Sequence, residues 1–420
     1  MRRVMFAACA GLFACNRTSP NNSDANDAAL AAAVMVLDAA PSPRCKLEES
    51  GVTFGDVGDR RSLVIGDAIP SKNGFSVGLV HSPATVPQAL VARVVDRKLS
   101  EQWIIAKGTE IVADAPPPIP LIGRDAVYAA YLARDAEAGA SRRIEVMKSG
   151  VATAIASFRV QSADSLSFDA TISNDASRLA LAWDDDAPKD GGIRVAVIPL
   201  LAVSPVLPRV VSDGVQDVDA PRLAARANGG WWAAWLARRE ESPDAGPRVE
   251  VPGEARAFTW VEIVALDDSG APVGPVRRLT APAGHVASFD LAPRAHGELD
   301  VFARDETQAH EGEGGRILHI VVHDASVDEP VIVATGAGRG AVDLVSGATG
   351  AAWLVYVDAQ DHPRLVPLGE SRMPAGPATL EDELDGARLL VITSSDSLTR
   401  FAAAVPASDG PVFREVTCSP

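Results

Sequence analysis

Short apolar runs bounded by turn-forming residues recur along most of the chain. From residue 46 onward, runs of four to nine residues rich in Val, Ile, Leu and Ala alternate with clusters of Gly, Pro, Asp and Ser. This alternation is typical of β-strands separated by turns. Helical periodicity is confined to short Ala-rich pieces such as 127–133. The sequence therefore predicts an all-β protein.

One kind of strand, apolar and ending in polar residues, returns at a nearly constant interval. Its clearest copy runs from Gly230 to Arg239, and the matching anchor positions are Leu79, Tyr131, Trp183, Trp235, Phe302, Tyr356 and Ile392. The gaps between these anchors are 52, 52, 52, 67, 54 and 36 residues. A fixed period of this kind indicates a repeat architecture.

Each repeat contains four predicted strands. Between 218 and 280 they are 220–226, 230–237, 259–266 and 275–280, with a turn at Asp267–Gly270 before the last. Two further sets are 168–172, 178–183, 193–200 and 208–211, and 289–292, 299–303, 317–322 and 331–334. Four short antiparallel strands per repeat resemble a blade of a β-propeller.

Seven anchors predict seven four-stranded blades, although six or eight are also compatible with the pattern. The final gap of 36 residues, from Tyr356 to Ile392, leaves a blade with little room for its outer strand. Two tandem β-sandwiches are the alternative fold, but they would not explain the constant spacing. The resemblance is to the propeller architecture, since no blade carries a family-specific motif.

The N-terminus is typical of a secretory leader. Arg2 and Arg3 precede the apolar stretch 4–13, and Leu12-Phe13-Ala14-Cys15 resembles the lipobox of bacterial lipoproteins. The resemblance implies removal of residues 1–14 as a signal peptide and lipidation of Cys15, followed by a flexible tether to residue 45 and a propeller over 46–420. Asn16 after the lipidated Cys favours a periplasm-facing position on the outer membrane over the inner membrane. The alternative is an ordinary secretory signal cut at another site.

The remaining cysteines form a predicted disulfide. Cys45 lies just before the repeats and Cys418 at their end. In an oxidising compartment such a pair is expected to be bridged, and we expect the bridge to fasten the first blade to the last. Closing so large a loop contributes roughly 5 kcal/mol in the chain-entropy account. Two free buried thiols are the alternative.

The acidic balance of the chain limits its partners. A net charge of −16 argues against nucleic acid, which requires clustered Lys and Arg, and favours cations or a basic partner. The predicted partner is an envelope protein or a basic molecule. Acidic residues concentrate in the predicted loops between second and third strands, where ligands of propellers often bind. This candidate acidic binding face comprises Asp184, Asp185, Asp186, Glu240, Glu241, Asp305, Glu306 and Asp358. Solvated loops that only keep the protein soluble are the alternative reading, and whether these loops hold a metal stays open.

No motif of a known catalytic or cofactor site occurs, so we expect no cofactor. His319 and His323 share one strand face about 13 Å apart, too far to hold one metal. Trp231 and Trp232 face opposite sides of their strand, so one of them could be exposed. The sequence favours a lipid-anchored binding or scaffolding module. The alternative is a periplasmic hydrolase or lyase acting on a sugar or peptide, which would gather titratable side chains at the mouth of the central channel.

Overall fold

The computed structural model describes residues 44–419 with internal gaps. The residues outside it are 1–43, 53–62, 72–73, 82–85, 97, 113–114, 135–141, 162–165, 186–190, 202–204, 214–216, 241–256, 295, 308–313, 339–340, 347–351, 370–371, 375–378, 381–387, 396–397, 406–411 and 420. The predicted leader, the lipobox and residues 15–43 of the predicted tether fall outside the described residues, whereas residues 44 and 45, assigned to the tether, belong to the first described strand. No helix long and apolar enough to cross a membrane occurs in the part that is described.

Within these residues, 28 strands form seven four-stranded antiparallel sheets. The first described strand is β1 (Arg44–Val52). The first blade contains β2 (Leu63–Ser71), β3 (Gly74–His81), β4 (Gln88–Val95) and β5 (Lys98–Lys107). The second contains β6 (Ile119–Ile122), β7 (Val127–Arg134), β8 (Arg142–Lys148) and β9 (Ala156–Val160). The third contains β10 (Phe168–Ile172), β11 (Arg178–Asp185), β12 (Gly192–Pro199) and β13 (Arg209–Val210).

The remaining blades follow the same plan. The fourth contains β14 (Asp217–Ala225), β15 (Trp231–Glu240), β16 (Ala257–Leu266) and β17 (Arg277–Arg278). The fifth contains β18 (Val286–Pro293), β19 (Leu299–Asp305), β20 (Gly315–Val322) and β21 (Val331–Ala337). The sixth contains β22 (Asp343–Ser346), β23 (Ala352–Val357), β24 (Pro363–Leu368) and β25 (Thr379–Leu380). The seventh contains β26 (Arg388–Ser395), β27 (Leu398–Val405) and β28 (Val412–Ser419), and its outer strand is β1.

The first strands of consecutive blades contact one another in a closed sequence. The contacts run from β2 to β6, β10, β14, β18, β22 and β26, and then back to β2. The seven sheets therefore stand around one axis, with their first strands innermost. The predicted seven-bladed β-propeller is confirmed.

Ring closure depends on the N-terminal strand. Because β1 pairs with β28, the last blade takes its outer strand from the start of the chain. The short final gap in the sequence period has a different cause. The anchor assigned to Ile392 is wrong in detail, because Ile392 lies on the innermost strand β26 and pairs with Phe401 on the second strand, so the last interval was taken to the wrong strand of the blade.

The predicted bridge is present between Cys45 and Cys418, which face each other across β1 and β28. It therefore lies inside the seventh blade and does not join two blades, because the chain reaches the first blade only after β1. Both cysteines are buried in an apolar cluster with Trp353 and Leu365 of the sixth blade. The bridge thus fixes the strand that closes the ring.

Apolar residues on both faces of each sheet pack against the neighbouring blades. Trp231 packs in a cluster with Val195 of the third blade, and Trp232 packs with Leu299 of the fifth. Both indole rings are buried, so the expectation that one could be exposed is wrong. In a closed ring, each blade has a neighbouring blade on both faces, so neither face of its sheet is open to solvent.

Candidate functional site in the central channel

Five charged side chains project from the first strands of five different blades. They are Asp67 on β2, Asp169 on β10, Arg222 on β14, Asp290 on β18 and Asp343 on β22. Arg222 interacts electrostatically with all four aspartates. We refer to these five residues as the channel cluster. The ring of first strands brings them together although they span most of the sequence.

The cluster lies deep in the molecule but remains open to solvent. Protein atoms surround Asp169, Arg222 and Asp290 closely enough for desolvation to be the largest influence on each of their pKa values. All three side chains nevertheless keep some accessible surface. A residue with these two properties lines a recess or channel and is not part of a sealed core.

Burial raises the pKa of Asp169 to about 6, with a further upward effect of the charge on Asp67 and a downward effect of Arg222. Burial raises the pKa of Asp290 to about 7, and the nearby charge on Asp343 acts in the same direction. Burial alone would lower the pKa of Arg222, but the surrounding aspartates raise it. Two carboxyl groups in the channel therefore hold or release protons close to neutral pH.

A repeated local sequence positions the two buried carboxyl groups. Ser167-Phe168-Asp169 and Ser288-Phe289-Asp290 occupy the innermost strands of the third and fifth blades, with each Phe packed into the core. Asp169 Oδ2 accepts a hydrogen bond from the Leu223 N–H of the next blade at 2.7 Å. Asp290 Oδ2 accepts an equivalent bond from the Leu344 N–H at 2.7 Å. Each Ser-Phe-Asp sequence therefore joins its blade to the next and fixes a carboxylate in the channel wall.

Irregularities in the first strands orient two further members of the cluster. The pairing of β2 with β3 shifts register around Asp67, and that of β14 with β15 shifts just before Arg222. Within the second bulge, Ala220 has a φ of 49°, a conformation that is unfavourable for a residue with a Cβ. Its N–H donates to Ser167 Oγ at 3.1 Å, which helps to hold this conformation. Bulges of this kind often redirect side chains at functional sites.

Of the acidic residues predicted to form a binding face, those that the structure describes lie outside the channel cluster, at the ends of the second strands of their blades. Asp185, Asp305 and Asp358 are buried, and each pairs with an arginine of the next strand in its own blade. The contacts are Asp185 Oδ2 to Arg194 Nε at 2.9 Å, Asp305 Oδ2 to Arg316 Nη2 at 2.8 Å and Asp358 Oδ2 to Arg364 Nη2 at 2.7 Å. These carboxylates take part in ion pairs inside the blades.

Hydrogen bonding explains the ionised state of Asp305. Burial opposes its ionisation, but donors from Thr307 and Arg316 hold its pKa below the usual range. Asp184 is also buried, and the more exposed Glu306 pairs with Arg304 at 2.8 Å. Asp186 and Glu241 lie outside the described residues, and Glu240 ends β15. A binding role of the candidate acidic face stays a prediction for all eight residues.

The two histidines of β20 belong to separate polar groups. His319 is buried, lies 2.7 Å from Asp300 and stacks on Phe302. His323 Nδ1 lies 3.1 Å from Glu298. Across the described part of the chain, no group of three or more His, Cys, Asp or Glu side chains is arranged to hold a metal ion. The channel cluster was not identified from the sequence, although the repeated Ser-Phe-Asp sequence was a signal that could have led to it.

Comparison with known proteins supports the architecture. No protein family matches the sequence, and no curated protein matches it. Among solved structures, the chain is similar to an ulvan lyase, a polysaccharide lyase, with a TM-score of 0.52 and 10% identity over 85% of this chain and 94% of the lyase. It is also similar to a puromycin-hydrolysing peptidase from Mycobacterium tuberculosis, with a TM-score of 0.51 and 14% identity over 85% of this chain. The chain covers 52% of that peptidase. At these identities the likeness establishes the propeller fold.

Proposed function

We propose that the protein is a binding module of the cell envelope and that the channel cluster is its ligand site. The observation that supports this proposal is the convergence of five charged side chains from five blades on one solvent-accessible recess. Burying charge is costly, and a structural role alone does not require carboxylates on four inner strands around one guanidinium. Sites of this kind, with several perturbed pKa values, concentrate at functional positions.

The test is recovery of a bound compound from the native source. The protein is purified from its own envelope, denatured, and the released small molecules are identified by mass spectrometry. The Asp169→Asn/Asp290→Asn double variant serves as the comparison, and Asp217→Asn at the exposed start of β14 is the control for loss of a carboxylate outside the channel cluster. We expect one compound to accompany the wild type and the control but not the double variant. A compound recovered equally from all three proteins would place the ligand site elsewhere.

The proposed location rests on the leader. We infer that Cys15 carries the lipid anchor, that the propeller faces the periplasm, and that the anchor lies in the outer membrane. The Cys45–Cys418 disulfide supports an oxidising compartment. Fractionation of the envelope tests this, because the Cys15→Ser protein should leave the membrane fraction while the wild type stays in it. Equal retention of both proteins would count against lipid anchoring.

A hydrolase or lyase acting on a sugar or peptide is the second candidate function. The pKa values of about 6 and about 7 at Asp169 and Asp290 favour it, because acid–base catalysis near neutral pH needs such groups. A polysaccharide lyase and a peptidase are among the propeller structures that the chain resembles. Turnover of envelope polysaccharides or peptides by the wild type, lost in Asp290→Asn, would support catalysis over binding.

A further inference from the structure

Within the described part of the chain, Arg222 has no ion-pair partner, although four aspartates surround it. No carboxylate among the described residues lies within 4.0 Å of its guanidinium, and its hydrogen bond is Nη1 to the Pro221 carbonyl oxygen at 3.2 Å. A guanidinium has five N–H donors in a planar arrangement that matches a carboxylate. Most of the donors of Arg222 are therefore uncommitted at a position that solvent reaches.

The two buried aspartates are held in place by backbone donors. Besides the bonds from the next blade, Asp169 Oδ1 accepts from the Ala170 N–H and Asp290 Oδ1 accepts from the Leu291 N–H, both at 2.8 Å. Each carboxylate is thus fixed through both oxygens, so it is not free to swing towards Arg222. Each oxygen keeps a further lone pair that can accept from a ligand. Positive and negative groups are consequently held apart around a common space.

The charge balance of this space indicates the class of ligand. Four carboxylates and one guanidinium leave an excess of three negative charges when all five are ionised. A ligand with an ammonium group would neutralise part of this excess, whereas a neutral polyol would leave it unchanged. The guanidinium of Arg222, with most of its donors uncommitted, would be matched by an anionic group on the same ligand. The aromatic side chains of β10 and β18, Phe168 and Phe289, are buried and offer no stacking surface for a sugar ring.

We propose that the channel cluster binds a small zwitterion, with a carboxylate against Arg222 and a primary ammonium group against Asp169 and Asp290. This rests on the proposed ligand site and specifies the chemistry of its ligand. Amino acids and short peptides with a free N-terminus belong to this class.

A series of amino acids with increasing chain length tests the proposal by isothermal titration calorimetry. The probes are glycine, β-alanine, 4-aminobutanoate and 6-aminohexanoate, compared with butylamine, butanoate and glucose. Because the ligand spans two fixed groups of opposite charge, we expect at least one zwitterion to bind ten-fold or more tightly than butylamine and butanoate.

Three channel variants and one control assign the contacts. Arg222→Gln should reduce the affinity for the zwitterion to that for butylamine, and Arg222→Lys should restore part of it because the charge remains. Asp290→Asn should reduce the affinity for the zwitterion and the affinity for butylamine by the same factor. Arg159→Gln, on the exposed outer strand of the second blade, should leave all affinities unchanged.

The outcomes separate this inference from the proposed function. Equal binding of butylamine and the zwitterions, unaffected by Arg222→Gln, would overturn the zwitterion while leaving a ligand site in the channel. Tight binding of glucose alone would overturn it in favour of a neutral sugar. If no probe binds while a compound is still recovered from the native protein, the ligand belongs to another class. If no compound is recovered either, the proposed function fails as well.

Discussion

Replacing Asp290 by Asn should change how the stability of the protein depends on pH. In the folded protein the pKa of Asp290 is raised from 3.8 to about 7, mainly by burial. Between these two values the folded chain holds a proton that the unfolded chain has lost. The free energy of unfolding therefore falls as the pH rises through this window, and the contribution of Asp290 is most favourable at low pH.

The expected size of the effect follows from the two pKa values. A pKa that rises from 3.8 to about 7 on folding lowers the free energy of unfolding at pH 8 by roughly 4 kcal/mol. Roughly 3 kcal/mol of this decrease develops between pH 5 and pH 8, because the unfolded carboxyl group is already largely ionised at pH 5. Asn cannot ionise, so the Asp290→Asn protein should not lose this amount.

The assay is urea denaturation followed by tryptophan fluorescence, at pH 5, 6, 7 and 8 and constant ionic strength. The free energy of unfolding of the wild type should fall by roughly 3 kcal/mol relative to Asp290→Asn between pH 5 and pH 8. Asp217→Asn controls for the loss of one negative charge at an exposed position on an inner strand. Parallel profiles for wild type and Asp290→Asn would refute the assignment of a deeply placed carboxyl group to the channel.

Three further predictions concern the scaffold around the channel. The Cys45→Ala/Cys418→Ala protein should lose roughly 2–5 kcal/mol of stability, because the bridge closes a separation of 373 residues. Thermal denaturation should show a loss of similar size when the reduced wild type is compared with the oxidised wild type. Asp305→Asn should cost roughly 2–3 kcal/mol at pH 7 by removing the carboxylate that pairs with Arg316. Because the pKa of Asp305 is lowered, the difference from wild type should shrink as the pH falls below 4. Trp232→Ala should cost about 3–5 kcal/mol in urea denaturation, since it empties a buried position between two blades, and a loss below 1 kcal/mol would contradict that packing.

The architecture was predictable because every complete blade repeats its most apolar strand. Leu79, Trp183 and Trp235 are buried at corresponding places, so their spacing in the sequence reflects the spacing of the blades. The closing strand β1 was not predictable from the period, because it pairs with residues at the other end of the chain. Only the two cysteines marked that pairing in the sequence.

The channel cluster was harder to predict because its members are single polar residues in otherwise apolar strands. Nothing in the local sequence of Arg222 indicates that Asp169 and Asp290 lie near it, since the ring alone brings them together. For the loop carboxylates, the sequence indicated the residues but not their partners. The pairing of Asp305 with Arg316 depends on the register of a hairpin, which the sequence pattern does not specify.

A crystal structure of the complex with the recovered compound would show whether the channel cluster is the ligand site. We expect the compound in the central channel, in contact with the Arg222 guanidinium and with the carboxylates of Asp169 and Asp290. A ligand bound on the outer rim of the propeller, with the channel left empty at saturating concentration, would contradict this expectation.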